Sequence, residues 1–204
     1  MSDTQTRTPA PKRSRFERNH DRIYDAAIGL FAARGPDAVT MEDIAVAVGM
    51  SRSSIFNHFP SKNLILATFF TRMTSEIIAE ARAKPMRGFR HAIIDLGRIA
   101  GAHATHHGPI VAAIAGLTAP SQPLAPAEQA TDAAMRTYLL ALIRAGQAKG
   151  EVRNDHSAHA LANLLLAVLT ASAHEWVAGG QGEDLSTLLE GRYSLVLDGL
   201  MQKS

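Results

Sequence analysis

Residues 40–62 read TMEDIAVAVGMSRSSIFNHFPSK. Two short helices are encoded in them. Thr40 stands three residues before Asp43, the spacing of a capping box with Asp in the place of Glu or Gln. Ile44, Ala45, Ala47 and Val48 give the first helix an apolar side. Gly49 can take the left-handed conformation that ends a helix. Ser51 is the next N-cap, so a second helix runs from about Arg52 to His58, and Pro60 breaks it. A link as tight as Val48-Gly49-Met50-Ser51 is what a helix-turn-helix requires. Ile55 and Phe59 anchor the back of the second helix, with Ile44, Val48 and Met50 as their neighbours. Arg52, Ser53, Ser54, Asn57 and His58 are left to face outward. A short helix with such a donor-rich face suits the major groove of DNA.

The flanking sequence extends the pattern. Ile23, Ala27, Leu30 and Phe31 recur at i, i+4, i+7 and i+8, one face of a helix that begins near Phe16 and stops at Gly35-Pro36. Ser61 caps a fourth helix reaching about Lys84. Further apolar stripes follow: Phe89 to Ala104, a short piece from Pro109 to Leu117, Met135 to a stop near Gly150, Leu161 to Trp176, and Leu185 to Leu200. The segment TAPSQPLAPAEQ, residues 118–129, reads as a proline-rich connection. The expectation is an all-α fold of about nine helices. It divides into a flexible basic tail (1–15), a helix-turn-helix domain (16–65) and a larger helical domain (66–204).

Composition narrows the function. The chain has 204 residues, 46% hydrophobic and 20% charged, an ordinary globular balance. It has no cysteine, which excludes disulfides, thiolate catalysis and Cys-based zinc sites and fits a cytoplasmic protein. The first 20 residues lack an apolar core, so no signal peptide is expected. Residues 99–127 and 156–174 lack Asp, Glu, Lys and Arg, yet His, Pro and Asn interrupt them. Buried helices are expected there, not a membrane span. Residues 1–62 hold nine Lys and Arg against seven Asp and Glu, while residues 63–204 hold twelve of each. The positive excess lies at the N-terminal end, where a polyanion partner would meet it.

RIYDAAIGLFAARG (22–35), followed by the stretch at 40–62, resembles the DNA-binding domain of the tetracycline repressor (TetR) family. The resemblance covers about residues 22–64, where helix spacing, glycine turns and the H-F-x-S-K ending agree together. Arg52 is the best base reader, because its planar fork matches guanine O6 and N7. Ser53, Ser54 and Asn57 can reach bases or phosphates. The resemblance implies that Thr40, Phe56, His58 and Lys62 flank the groove, and Thr40 and Lys62 sit at helix N-termini that favour a phosphate. Three positions depart from the family's pattern. Phe56 stands where many relatives have Tyr and lacks the hydroxyl that bonds a phosphate. Ser53 replaces a common glycine, and Asn63 a common glutamate.

The resemblance further implies that residues 66–204 bind a small-molecule effector and dimerise. The expected partners are a double-stranded DNA operator, an effector and a second copy of the chain through the last two helices, with no cofactor. The pocket is expected among helices five to eight, roughly residues 89–177, with His103, Met135, Leu139, Asn163 and Thr170 as candidate contacts. A regulator without an inducer, controlled by a protein partner, is the alternative. An enzyme is not expected: no GxSxG, HExxH or phosphate loop is present. The run HATHHG (103–108) places His103 and His107 four apart, but a metal site needs more ligands than that, so a core or pocket histidine is the simpler reading. Leu164, Leu165, Leu166, Val168 and Leu169 cannot all face one core, which points to a covered second face. Trp176 is expected in interface packing.

Overall fold

The computed structural model describes residues 14–115, 124–182 and 184–201. Nine α-helices are found among them: α1 (Arg15–Arg34), α2 (Met41–Val48), α3 (Arg52–His58), α4 (Lys62–Ala83), α5 (Phe89–His106), α6 (Gly108–Ala115), α7 (Ala125–Ala148), α8 (Ala158–Ala178) and α9 (Leu185–Leu200). No strand occurs among the described residues, only a single bridge between Val152 and Met201. The fold is all-α, as its periodicity implies.

The first three helices are set by their caps. Thr40 and Asp43 form the reciprocal capping box, with the Asp43 carboxylate accepting from the Thr40 N–H at 2.8 Å. Gly49 ends α2 at φ 63°, a left-handed conformation that a side chain disfavours. Its N–H donates to Val46 O at 3.1 Å and the Met50 N–H to Ala45 O at 3.0 Å, the paired bonds of a Schellman ending. The Arg22 guanidinium, reaching from α1, donates to Val48 O and satisfies another carbonyl at that end. The angle between α2 and α3 is therefore held from inside the turn and from α1. Ile23, Phe31, Ile44, Ile55 and Phe59 close the small core at 0% exposure. Each buried side chain of that size contributes roughly 1.5–3 kcal/mol. Ala47 lies on the exposed side of α2, so Ile44, Ala45 and Val48 alone carry its apolar contact.

α4 crosses the expected boundary at 65/66 without a break. Its first turn, Ile65 and Leu66, belongs to the small core, while Met73, Ile77 and Ile78 enter the larger one. Arg72 pairs with Asp21 of α1 at 2.9 Å and lies 4.1 Å over the Tyr24 ring. α7 begins at Ala125, well before the expected Met135, because Pro126 sits in its first turn, where proline's missing N–H costs nothing. Residues 118–123 of the expected proline-rich connection, the last two residues of the piece expected from Pro109 to Leu117, and residues 1–13 of the expected tail lie outside the described residues.

The larger half is built on the contact of α5 with α9. Gly97 and Gly101 permit it: a Cβ on Gly97 would stand 2.9 Å from the Tyr193 ring, and one on Gly101 only 2.4 Å from the Ser186 backbone nitrogen. Tyr193 is fully buried, and its hydroxyl donates to Leu165 O of α8 at 3.3 Å, tying three helices at one point. Arg98 binds Glu190 through two nitrogens at 2.8 and 2.7 Å on the exposed edge of the same seam. Trp176 is 5% exposed and packs inside its own chain, not in the interface expected for it. α8 is, by length and composition, apolar enough to cross a bilayer, in contrast to the expectation of no such stretch there, and only 33% of its most apolar stretch is buried. It nevertheless packs against α6, α7 and α9.

Gly101→Ala places its methyl group against backbone, which cannot rotate away. The substitution is expected to cost roughly 1–3 kcal/mol, a drop of several degrees in thermal midpoint for a chain of this size. Gly29→Ala, where the new methyl meets open space, is the control and should leave the midpoint unchanged or higher.

Candidate DNA-binding face and interior cavity

The outer face of α3 carries Arg52, Ser53 and Asn57, all exposed, and Ser54, half-buried. The Ser51 hydroxyl caps the helix by accepting the Ser54 N–H at 3.3 Å. It also lies 2.9 Å from the Ser54 hydroxyl and 3.1 Å from that of Ser53. The three serines thus share one hydrogen-bonded cluster at the helix start. The Arg52 guanidinium stands 3.5 Å from Glu42 and 5.5 Å from the centre of the Phe56 ring. Phe56 is half-buried, and without a hydroxyl its ring serves as a platform for Arg52. Thr40 is exposed at the start of α2, its hydroxyl donating to Asp43 at 2.7 Å. That bond and the one from the Thr40 N–H hold the Asp43 carboxyl below its ordinary value.

Two expected groove residues are placed differently. His58 does not face outward. Its ring stacks on Phe16 of α1 at 4.2 Å, and its Nδ1 is buried without a hydrogen bond among the described residues. His20 stacks beside it on Phe59 at 4.2 Å, and burial, with the nearby Arg72 charge, pushes the His20 imidazole below its ordinary value. The end of the recognition helix is therefore an aromatic contact with α1. The Lys62 ammonium turns away from the exposed face too. It donates to Pro36 O at 2.7 Å and lies 3.4 Å from Val39 O, the first carbonyl of the 3-10 turn at Pro36–Ala38 and the one just after it. A cation at the start of a helix is opposed by the helix dipole, and the two carbonyls offset that.

A cavity of about 130 Å³ lies in the larger half. Its walls come from all of α4 to α9, with Phe70, Met73, Thr74 and Ile77 of α4 and Leu185 and Leu189 of α9, so it is not confined to helices five to eight. Met135 and Thr170 line it. The other three candidate contacts are elsewhere. Leu139 is fully buried in the core. Asn163 is exposed and accepts the Arg136 Nε–H at 2.9 Å. His103 meets Glu80 at 3.2 Å. His107, four residues on, leans edge-on against Phe69 at 4.9 Å, so the two imidazoles diverge. No group of three or more potential metal ligands occurs among the described residues.

Glu128, Thr131, Asp132 and His174, none of them anticipated, also line the cavity. Burial pushes both carboxyls above their ordinary values, and the charge of Asp132 adds to the rise at Glu128. The signal was present in the sequence: Glu128, Thr131, Asp132 and Met135 share one helical face. Placing residues 118–129 in a connection concealed it.

A helix-turn-helix on an all-helical body defines a class of DNA-binding protein. Residues 23–68 match "Bacterial regulatory proteins, tetR family". Those residues carry the DNA-binding domain of that family of transcription regulators. The biofilm operon icaADBC HTH-type negative transcriptional regulator IcaR of Staphylococcus aureus is 44% identical over 45 residues, 22% of this chain and 24% of that one. Such matches to curated relatives span about a third of their length or less. In fold, the chain is similar to Thermus thermophilus FadR, a TetR family repressor solved with lauroyl-CoA (TM-score 0.74, 23% identity, 91% of this chain and 96% of that one). It is similar also to a transcriptional regulator from Saccharomonospora viridis solved with choline (TM-score 0.66, 21% identity, 92% of this chain and 100% of that one).

Lys62→Met is expected to lower the thermal midpoint by a few degrees, since two carbonyls lose their donor, a loss of about 1–3 kcal/mol. The salt dependence of DNA binding should stay unchanged. A slope smaller by about one would return Lys62 to the phosphates. For Asp132 the sign is equally definite. Its folded value lies above the unfolded 3.8, so the native protein takes up the proton first, gaining stability as pH falls through that window and lacking it above. Asp132→Asn should therefore melt higher than the parent at pH 7, and the advantage should shrink as pH approaches 4.

Proposed function

We propose that this protein is a ligand-responsive repressor of transcription, working in the cytoplasm as a two-fold dimer on a palindromic operator. Residues 16–65 form its DNA-binding domain, and residues 66–204 bind the effector and dimerise. The observation that carries this reading is the sharing of walls. α4 and α6 line the cavity, and the same two helices pack against the DNA-binding half, α4 through Lys62 and Arg72 and α6 against α1 and the 3-10 turn. A molecule that fills the cavity must fit one arrangement of these helices better than another, and only that difference can release DNA. Control by a protein partner alone would need no cavity.

Within the DNA-binding domain, Arg52 is the base reader, with Ser53, Ser54 and Asn57 as its neighbours and Phe56 as its support. Thr40 contributes a phosphate contact from the start of α2. His58 acts from behind, by holding α3 to α1. Two copies of α3 would enter successive major grooves about 34–36 Å apart. The dimer face is formed by α8 and α9, where Leu164 is 44% and Leu195 78% exposed. Apolar side chains left open on a long apolar helix fit a second copy better than water.

A mobility-shift assay on DNA from the promoter beside the protein's own gene tests the reading. Arg52→Ala should weaken specific binding roughly ten- to a hundredfold, the effect of losing one good base contact. Undiminished binding would remove Arg52 from the reading head.

A further inference from the structure

The charge of the cavity narrows what it can hold. Glu128 and Asp132 are four residues apart on α7 and so share a face. Both are half-buried at the cavity wall, and neither carboxylate has a hydrogen bond or ion pair among the described residues. Arg136, the nearest cation along the helix, directs its Nε–H to Asn163 instead. Burial still holds both carboxyls above their ordinary values, offset only in part by Arg136 and His174 at Asp132 and by His174 alone at Glu128. Across the cavity, Thr74 of α4 is 6% exposed, and its hydroxyl has no hydrogen-bond partner among the described residues. The rest of the wall is overwhelmingly apolar, with Met73, Ile77 and Leu166 typical of it.

Partly desolvated carboxylates without partners destabilise a fold, and like charges four apart on a helix add to the cost. The Thr74 hydroxyl adds an unpaired polar group at the same wall. Two carboxylates, which only accept, and one hydroxyl, which can accept or donate, thus line one largely apolar space. A ligand with several N–H donors and a positive charge would satisfy them together. A ligand with a carboxylate or phosphate would meet two negative charges in a medium that screens them poorly.

We propose that the cavity takes a small organic cation, a protonated amine held by Glu128 and Asp132 with Thr74 as a further acceptor, on an apolar body that fills the space beside Met73, Ile77 and Leu166. The cavity's volume of about 130 Å³ is a little below the ~150 Å³ that holds a benzene ring, but the cavity is open on one side, so a small aryl-alkyl amine need not be enclosed whole. This inference rests on the ligand-responsive reading above and adds to it the chemical class of the effector. It separates this chain from the acyl-CoA-bound FadR that shares its fold.

Three probes with one phenylethyl body test it: phenethylamine, 2-phenylethanol and 3-phenylpropionate. Their binding to the full chain at pH 7 is measured by calorimetry, for the parent, for Thr74→Val, and for the double variant Glu128→Gln with Asp132→Asn. The amine is expected to bind at least tenfold more tightly than the alcohol, and the carboxylate most weakly. The double variant, which retains shape and relieves charge, should bring the amine to the level of the alcohol while leaving the alcohol unchanged. Thr74→Val should weaken the amine severalfold. An alcohol or carboxylate that binds as well as the amine overturns the proposal. So does an amine indifferent to the double variant, or one that fails to bind at millimolar concentration. Release of operator DNA is read separately with the same probes. An amine that binds without releasing DNA upholds the ligand class and sinks the effector role. Release by the alcohol or carboxylate instead keeps the effector role and sinks the ligand class.

Discussion

A single helix of 22 residues, α4, belongs to two cores at once. Its first turn fills the small core beneath α3, and its middle turns form one wall of the cavity. A regular helix is stiff over this length, because each peptide group is bonded to the next turn. A displacement at Thr74 or Ile77 therefore cannot be absorbed before it reaches Lys62. The Lys62 bonds to Pro36 O and Val39 O, and the Arg72 pair with Asp21, fasten that end to α1 and the 3-10 turn. On the function proposed, the ligand end and the DNA end need no intermediary beyond this helix and its neighbour α6.

What could be read in the sequence was what is settled locally. Thr40 with Asp43, Ser51 with the Ser54 N–H, and the left-handed Gly49 are decided within four residues, and each stands where its spacing puts it. The partners of Lys62 and His58 are not local. Lys62 meets a carbonyl 26 positions away, and the Phe16 ring that covers His58 lies at the far end of α1. Periodicity says that such residues are polar and near a helix end; it says nothing about which neighbour will offer a carbonyl or a ring.

The cavity shows the same limit at longer range. Met135, on an apolar stripe, and Thr170, a polar point on another, are candidate contacts in the sequence, and both reach the cavity. Leu139, one turn after Met135, turns into the core, and Asn163 stays on the surface with Arg136. A helix crossing another at an angle presents each turn to a different environment, and one-dimensional spacing cannot supply the crossing angle. Glu128 and Asp132 escaped notice for a simpler reason. Three prolines, Pro120, Pro123 and Pro126, suggest a connection, whereas the last of them opens a helix.

The carbonyl cradle around Lys62 has a chemical corollary. An ammonium that donates to two carbonyls, on a half-buried side chain, is a poor nucleophile, whereas Lys84 and Lys149 are exposed. An acylating reagent will therefore mark Lys84 and Lys149 first and reach Lys62 only when α4 parts from the 3-10 turn. The protein thus carries, in one of its own lysines, a footprint of whether its two halves are engaged.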